Sequence, residues 1–356
     1  MKKQSGVDLD LGNRCSKNAY QWAKSSFKFR QGKAGEALMN VDDSFANILQ
    51  FPGCRLGISS DGIGTKIELA ERTGIYDTLG YDLVAMVADD LAANGLEATN
   101  ISNIIDVDFL DYEIIDSLMK GLYEAAEECD LAISGGEIAE LGGRIKGYGS
   151  RMHFNWCSTA IGILPQNLAC PIDGSEIADG DLIISLKSRG FRSNGFSLIR
   201  KIMQDNFGDN WHLEKYDSTK TWGEILLTPS LIYNRLITTI IAQNIKLKGI
   251  VHVTGGGIPD NLARILQGKN LGAEFTSLNE VPAFVEQVKK LGNIPDKQAY
   301  RLWNMGNGML LVCEENIAIS VLKIISESGF AGKIAGKIVQ GDNISLHLDE
   351  MGKIIY

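Results

Sequence analysis

Glycine-rich turns that separate a strand pattern from a helix pattern are the feature that most constrains the fold of this chain. Its 356 residues include 39 glycines but only 7 prolines. This composition suits tight turns that bring the backbone close to a ligand, rather than a low-complexity linker. Strand and helix patterns alternate along the whole length, which predicts a mixed α/β fold.

The length of the chain predicts two domains, because a typical domain has about 150 residues. The densest cluster of turn residues consists of Pro165, Pro171, Asp173-Gly174 and Asp179-Gly180. We therefore place the boundary near residue 168, between an N-terminal domain of residues 1–168 and a C-terminal domain of residues 169–356.

Charge and cysteine usage exclude several classes of protein. A formal charge of −9 argues against nucleic-acid binding, which needs clustered lysine and arginine residues. The six cysteines form no C-x-x-C pair, so no zinc site is indicated, and their scatter is typical of a reducing compartment. The start of the chain lacks the apolar core of a signal peptide, and apolar runs are too short to span a bilayer. We expect a soluble, cytoplasmic protein without a membrane partner.

The first glycine turn is Asp61-Gly62-Ile63-Gly64-Thr65-Lys66, which lies between a predicted strand and a short helix. Glycines allow backbone N–H groups to approach phosphate oxygens, and the start of a helix favours an anion. Lys66 could neutralise a phosphate, and Asp61 could bind the accompanying Mg²⁺. The spacing is not that of a Walker A loop. The alternative, a plain turn with a surface lysine, is equally compatible with these residues alone.

A second feature is the pair Asp89-Asp90 in a helix that we predict to begin at an N-cap Asp82 and to end near Gly95. Asp90 falls on the same helical stripe as Leu83 and Val87, which places it on the apolar face. A buried carboxylate needs a cation or hydrogen-bond donors. We therefore favour metal coordination, although pairing with a lysine at the edge of the core is the alternative.

Glu137 follows a short predicted strand and two glycines, Gly135 and Gly136. Its position near a glycine turn, in the same half as Asp61 and Asp90, makes it a candidate second or third metal ligand.

The third feature is a glycine loop in the second half, Thr254-Gly255-Gly256-Gly257, which is suited to bind a substrate phosphate at a helix start. Its companion is the loop from Ser188 to Gly195, where Ser193 is predicted to cap a helix and Arg189 and Arg192 suit a phosphorylated substrate. Ordinary helix caps with solvated charges are the alternative for both loops. None of the four histidines shows metal-ligand spacing, and His252 is the most suggestive because it precedes the glycine loop.

Six segments in register resemble the phosphoribosylformylglycinamidine cyclo-ligase family, also called the aminoimidazole ribonucleotide (AIR) synthetase family. The resemblance covers roughly residues 6 to 339 and begins with Gly6-Val7-Asp8. The segments are Asp61 to Lys66, Gly80 to Met86, Gly135 to Glu140, Ser193 to Leu198, His252 to Gly257, and Tyr300-Arg301 with Asn304, Gly306 and Gly308. The resemblance implies a two-domain ATP-binding α/β fold, with an N-terminal dimerising domain, a C-terminal α/β sandwich and a homodimer formed through the N-terminal domains.

The reaction that the resemblance implies is the ATP-dependent cyclisation of formylglycinamidine ribonucleotide to AIR in purine biosynthesis, through phosphorylation of the formyl oxygen. It implies that ATP and Mg²⁺ bind to Asp61, Gly62, Gly64, Thr65, Lys66, Asp82, Asp90, Gly136 and Glu137, with Asp61, Asp90 and Glu137 as the metal ligands. It implies that the phosphorylated ribonucleotide binds to Ser193, Asn194, Gly195, Thr254, Gly255, Gly256 and Gly257. The residues we expect to act on the transferring charge are Lys66, Asp61 and Arg192.

Two departures from the family pattern concern charged residues. Arg192 stands where the family has a histidine, and Asp89-Asp90 stands where it has an Asn-Asp pair. Since arginine stays protonated near neutral pH, we expect Arg192 to act electrostatically, on the substrate phosphate or on the phosphate that leaves. The departures keep two alternatives open: a related enzyme that phosphorylates an oxygen of a different small metabolite, and a non-catalytic nucleotide-binding dimer.

Overall fold

A computed structural model of the chain describes residues 9–38, 45–348 and 352–356, so the motif Gly6-Val7-Asp8 lies outside the described residues. Helices and strands alternate and form two separate β-sheets, which confirms the predicted mixed α/β fold. No helix among the described residues is both long and apolar enough to cross a bilayer.

The first half of the chain forms a six-stranded sheet. Its helices and strands are α1 (Leu9–Ser26), β1 (Glu36–Ala37), β2 (Asn47–Phe51), β3 (Cys54–Gly62), α2 (Ile67–Thr73), α3 (Leu79–Ala92), β4 (Glu97–Val107), α4 (Tyr112–Cys129), β5 (Ala132–Glu140) and β6 (Phe154–Ile163). The strand order is β1-β2-β3-β6-β4-β5, and only the pair β4–β5 is parallel. Asp111 caps α4 by accepting the N–H groups of Glu113 and Ile114.

The second half forms a seven-stranded sheet with helices beside it. Its helices and strands are β7 (Leu182–Lys187), α5 (Phe196–Phe207), α6 (Trp222–Leu226), α7 (Asn234–Ala242), β8 (Gly249–His252), α8 (Gly257–Leu266), β9 (Leu271–Phe275), α9 (Ala283–Leu291), α10 (Asp296–Leu302), β10 (Asn307–Cys313), α11 (Glu315–Glu327), β11 (Gly332–Gln340), β12 (Ile344–Leu348) and β13 (Gly352–Ile355). The strand order is β13-β12-β9-β11-β7-β10-β8. The predicted domain boundary near residue 168 stays a prediction, and it falls between β6 and β7.

Helix α3 lies at the centre of the molecule and connects the two halves. Twelve of its fourteen residues are buried, as expected for a helix that is covered on all sides. Two glycines explain how closely it packs against α4: a β-carbon on Gly80 would overlap the backbone of Gly121. The C-terminal half covers the rest of α3, so any polar group on this helix must find a partner inside the protein.

Strand β5 differs from its prediction, because the strand continues through Gly135, Gly136 and Glu137 instead of ending before them. None of its nine residues is buried, and it is the edge strand of the sheet. The predicted glycine loop is therefore an exposed strand. An exposed strand edge of this length can pair with another chain.

Candidate active site between the two halves

The predicted glycine loops of the two halves lie next to each other, and we call the region that they border the cleft. Thr65 Oγ1 and Ser197 Oγ are 3.1 Å apart, which joins the first loop to the start of α5. A β-carbon built on Gly255 would lie 3.5 Å from Oδ1 of Asn194, so the two loops of the second half are also neighbours. The structure thus brings together residues that are up to 190 positions apart in the sequence (Thr65 and Gly255).

Lys66 and Asp82 form a completely buried ion pair beneath the first loop. The distance from Lys66 Nζ to Asp82 Oδ2 is 2.6 Å, and neither side chain has any solvent exposure. Lys66 also donates to the carbonyl of Thr228, and Ser230 donates to Asp82. Burial lowers the pKa of Lys66, and the charge of Asp82 opposes this shift. Lys66 is therefore not a surface lysine, and its predicted role at a phosphate stays a prediction.

Asp82 lies inside helix α3 rather than at its start, which corrects the predicted N-cap. The helix begins at Leu79 after Thr78, whose side chain makes no capping hydrogen bond. A position within the first turn points the carboxylate of Asp82 toward the buried ammonium of Lys66. Its pairing supplies the compensation that a buried carboxylate requires.

Asp89 is the wholly buried acid of the pair, which the predicted stripe of Leu83, Val87 and Asp90 did not indicate. Its Oδ2 lies 2.6 Å from Nη2 of Arg192, and side-chain exposure is 0% for Asp89 and 1% for Arg192. Its Oδ1 accepts the backbone N–H groups of Tyr233 and Asn234 at the start of α7. Arg192 is therefore inside the interface between the two halves, and its guanidinium does not line the cleft as expected.

Asp90 is the acid that remains partly accessible, with 19% side-chain exposure. Ser59 donates a hydrogen bond to its Oδ2 over 3.2 Å, and its Oδ1 lies 2.7 Å from Nδ1 of His252. Burial lowers the pKa of His252 to about 3, so this imidazole stays neutral. Burial raises the pKa of Asp90 to about 7.

Asp61 lies at the end of β3, on the same face of the sheet as Ser59. Protein atoms crowd its carboxyl group although the residue is exposed at the rim. This burial, together with a smaller effect of the negative charge of Asp90, raises its pKa to about 6, although the N–H group of Gly62 donates to it and opposes the shift. Two neighbouring carboxyl groups that both resist ionisation fit a cation between or beside them, because a cation would remove the cost of their negative charge.

Glu137 does not join these two carboxylates within one chain. The register aligns Gly62 with Cys157, Cys157 with Ile104, and Ile104 with Glu137, so these four residues share one face of the sheet. Asp61, as the neighbour of Gly62, points to the opposite face. Three strand spacings, about 14 Å, add to this separation. Among the residues that the structure describes, no three acidic, histidine or cysteine side chains form a metal-binding group, so Asp61, Asp90 and Glu137 of one chain do not form the predicted triad.

The loop before α5 presents polar atoms that lack partners. Ser193 Oγ and Asn194 Nδ2 are buried and make no hydrogen bond within the protein. Gly195, in the left-handed conformation, precedes the helix, so Ser193 is not the cap that we predicted. A side chain on Gly195 would collide with Trp303. Buried polar atoms without a partner are unfavourable unless a water molecule or a ligand bonds to them.

The second glycine loop leads directly into helix α8. Gly256 and Gly257 both have a positive φ, which a residue with a side chain adopts only under strain. Asn261 donates hydrogen bonds to the carbonyls of Gly255 and Gly257 and so holds the loop against the helix. At this helix start, Gly257 donates its N–H to the carbonyl of Thr254 and Pro259 has no N–H group, so the donors left for an anion are the other N–H groups of the glycine loop itself and that of Ile258.

Sequence reasoning missed Asp89, Ser59 and the start of α7 as parts of this site. One signal was present: Asp82 and Asp89 are seven residues apart on a helix, so both lie on one side of it. The partners of Asp89 could not be found in this way, since they are more than 100 residues away.

Comparisons with known proteins identify the family of the chain. Two family models match the chain: "AIR synthase related protein, N-terminal domain" over residues 43–164 and "AIR synthase related protein, C-terminal domain" over residues 178–349. The chain is 38% identical over 286 residues to phosphoribosylformylglycinamidine cyclo-ligase of Carboxydothermus hydrogenoformans, which covers 80% of each chain. It is 34% identical to the enzyme of the same name from Thermococcus kodakarensis, over 94% of this chain and 95% of that one.

Among solved structures, hydrogenase maturation protein HypE in complex with ATP has the same fold. The TM-score is 0.61, at 15% sequence identity, over 84% of each chain. This similarity shows the fold alone. The two matched domains and the sequence identity to the cyclo-ligases show the family. The chain therefore belongs to the phosphoribosylformylglycinamidine cyclo-ligase family of AIR synthase-related enzymes.

Proposed function

We propose that this protein catalyses the ATP-dependent ring closure of formylglycinamidine ribonucleotide to AIR. Family membership supports the reaction, and the ATP complex of HypE supports ATP binding by this fold. The observation that carries the proposal is the cleft itself. There, the carboxyl groups of Asp61 and Asp90 lie near two glycine loops, one of which holds the unpartnered Ser193 and Asn194.

The chemistry transfers the γ-phosphoryl group of ATP to the formyl oxygen, which converts a poor leaving group into phosphate. The amidine nitrogen then attacks the activated carbon, the carbon–oxygen bond breaks, a proton leaves the nitrogen, and ADP and phosphate are released. Such an enzyme must align its reactants and neutralise charge more than it must supply a nucleophile. Asp61 and Asp90 would bind Mg²⁺, which supplies positive charge to the phosphates of ATP.

The substrate is proposed to bind to the loops of the second half. Thr254 to Gly257 would bind the 5′-phosphate through backbone N–H groups at the start of α8. Ser193 Oγ and Asn194 Nδ2 would donate hydrogen bonds to the substrate. Lys66 would act indirectly, because its ion pair with Asp82 fixes the position of the first glycine loop.

We also propose a homodimer formed through the first sheet. On its face opposite α3, Ile104 and Ile161 are 46% and 41% exposed, and β5 leaves its edge open beside them. Exposed isoleucines next to an open edge strand favour association with another sheet. Glu137 lies on this same face, so it would act as a metal ligand only at or near the dimer interface.

The test is direct conversion. Purified protein is incubated with ATP, Mg²⁺ and formylglycinamidine ribonucleotide, and the formation of AIR and ADP is measured in equal amounts. The proposal expects one ADP for each AIR. If ADP forms only with another phosphorylated metabolite, the enzyme is a relative with a different substrate, a reading that the departures at Asp89 and Arg192 keep open.

A further inference from the structure

The buried ion pair between Asp89 and Arg192 connects helix α3 of the first half to the substrate loop of the second. We infer that these two residues act as one positioning pair that holds Ser193 and Asn194 in the conformation that binds substrate. Arg192 is then not a ligand of the substrate phosphate. The identity of the substrate in this inference rests on the proposed function.

Almost every polar side-chain atom of Asp89 and Arg192 makes a hydrogen bond within the protein. Both oxygens of Asp89 are engaged, one by Nη2 of Arg192 at 2.6 Å and the other by two backbone N–H groups at the start of α7. Arg192 also donates from Nη1 to the carbonyl of Gly308, and its guanidinium packs 5.2 Å from the ring centre of Tyr233. A side chain that is 1% exposed and held from several directions is placed to fix structure rather than to bind a mobile ligand.

The backbone at Arg192 shows what the pair holds in place. Its φ is +60°, in the left-handed region that residues other than glycine rarely adopt. The preceding Phe191 is packed against Trp303 and Phe196, and Asn304 donates to the carbonyl of Gly190. The anchored side chain of Arg192 therefore fixes the direction of the backbone after Arg192, and with it the positions of the next two residues, Ser193 and Asn194.

The charges of the two residues match each other. Arg192 and Asp89 stand where the resemblance to the family implies a histidine and an asparagine, and the structure shows that the two residues touch. A buried carboxylate without a cation, or a buried guanidinium without an anion, is strongly unfavourable. Each charge is thus tolerable because the other is present, and this predicts that a neutral pair can replace the two charges together.

A double-mutant cycle tests the inference. The variants are Asp89→Asn, Arg192→His and the double variant that carries both changes. We expect each single variant to raise the KM for formylglycinamidine ribonucleotide about tenfold or more, because a displaced loop misplaces its binding groups. The KM for ATP should change less than about threefold, and the double variant should regain a substrate KM within about threefold of the wild type.

Asp181→Asn is the matched control, since Asp181 forms a nearly buried ion pair with Lys248 that does not contact the cleft. It should lower the unfolding temperature and leave both KM values unchanged. The inference fails if the two single effects simply multiply in the double variant. It also fails if Asp89→Asn leaves the substrate KM unchanged while Arg192→His raises it, because Arg192 would then act on the substrate directly.

Two further measurements keep the test decisive. If a single variant does not fold, the double variant must still fold and turn over, and a double variant as unstable as the singles overturns the inference. Hydrogen exchange of the peptide that contains residues 188–195, measured without substrate, should be faster in each single variant and normal in the double. If the wild type forms no AIR but the exchange follows this pattern, the proposed function fails while the positioning pair stands.

Discussion

His252 and Asp90 face each other across the two halves of the protein, with 2.7 Å between Nδ1 and Oδ1. The imidazole is fully buried and neutral, whereas the carboxyl group reaches the cleft. The second half thereby orients the one acid of α3 that a cation in the cleft could reach. Several expected results depend on this arrangement.

Asp90→Asn should weaken Mg²⁺-dependent nucleotide binding at least about tenfold and leave unfolding cooperative, because an amide keeps the shape but removes the charge. Isothermal titration with ATP, with and without Mg²⁺, measures this effect. Asp205→Asn, on an exposed helix surface, is the control and should bind as the wild type does. Unchanged affinity in Asp90→Asn would remove Asp90 from the metal site.

The binding of Mg²⁺ should depend on pH between 5 and 8. The pKa of Asp61 is raised to about 6 and that of Asp90 to about 7, so both carboxyls are largely protonated at the lower end of this range. A cation must displace those protons, and its affinity therefore rises with pH and levels off above about 8. His252, whose pKa is lowered to about 3, stays neutral throughout.

Thermal unfolding with and without Mg²⁺ at several pH values checks this dependence. The increase in Tm caused by the cation should be larger at pH 8 than at pH 5.5. Without the cation, these two acids bind more protons in the folded than in the unfolded state, so their contribution to stability falls as pH rises through this window. An equal Mg²⁺ effect at both pH values would contradict the assignment.

Lys66→Met should reduce the free energy of unfolding by about 3–5 kcal/mol, because it leaves the carboxylate of Asp82 buried without a cation. Urea unfolding followed by tryptophan fluorescence measures the loss. Lys246→Met, which removes an exposed ion pair with Glu176, should change stability by less than about 1 kcal/mol. Wild-type stability in Lys66→Met would mean that the ion pair contributes nothing to the fold.

Ile161→Glu should convert the proposed dimer to a monomer, since a charge on the open face of the sheet opposes burial. Light scattering during size-exclusion chromatography reports the mass directly. Ile319→Glu, at an exposed position on α11, is the control for the mere loss of a surface isoleucine. A wild type that is monomeric at micromolar concentration would refute the proposed association.

Local pattern in the sequence was enough to predict the α/β class and the glycine turns at Asp61 and Thr254, because strand and helix periods and tight turns are set by neighbouring residues. It was also enough to select Asp61 and Asp90 as candidate metal ligands, and the structure places the two carboxyl groups close enough for the charge of Asp90 to raise the pKa of Asp61. The resemblance to the family supplied the reaction, and the matched domains confirm the family.

Tertiary structure decided which of these charged groups are free. Lys66 and Arg192 both looked available in the sequence, yet each is buried against an acid of α3. Glu137 follows Gly136 directly and looked like part of a glycine turn near Asp61, yet it lies on the opposite face of the sheet from Asp61. Which charges pair and which side chains share a face depends on contacts between residues that are far apart along the chain. Asp89 and Arg192, for example, are separated by 103 positions. No local spacing encodes such a contact, because only the packing of the two halves around one helix brings the charges together.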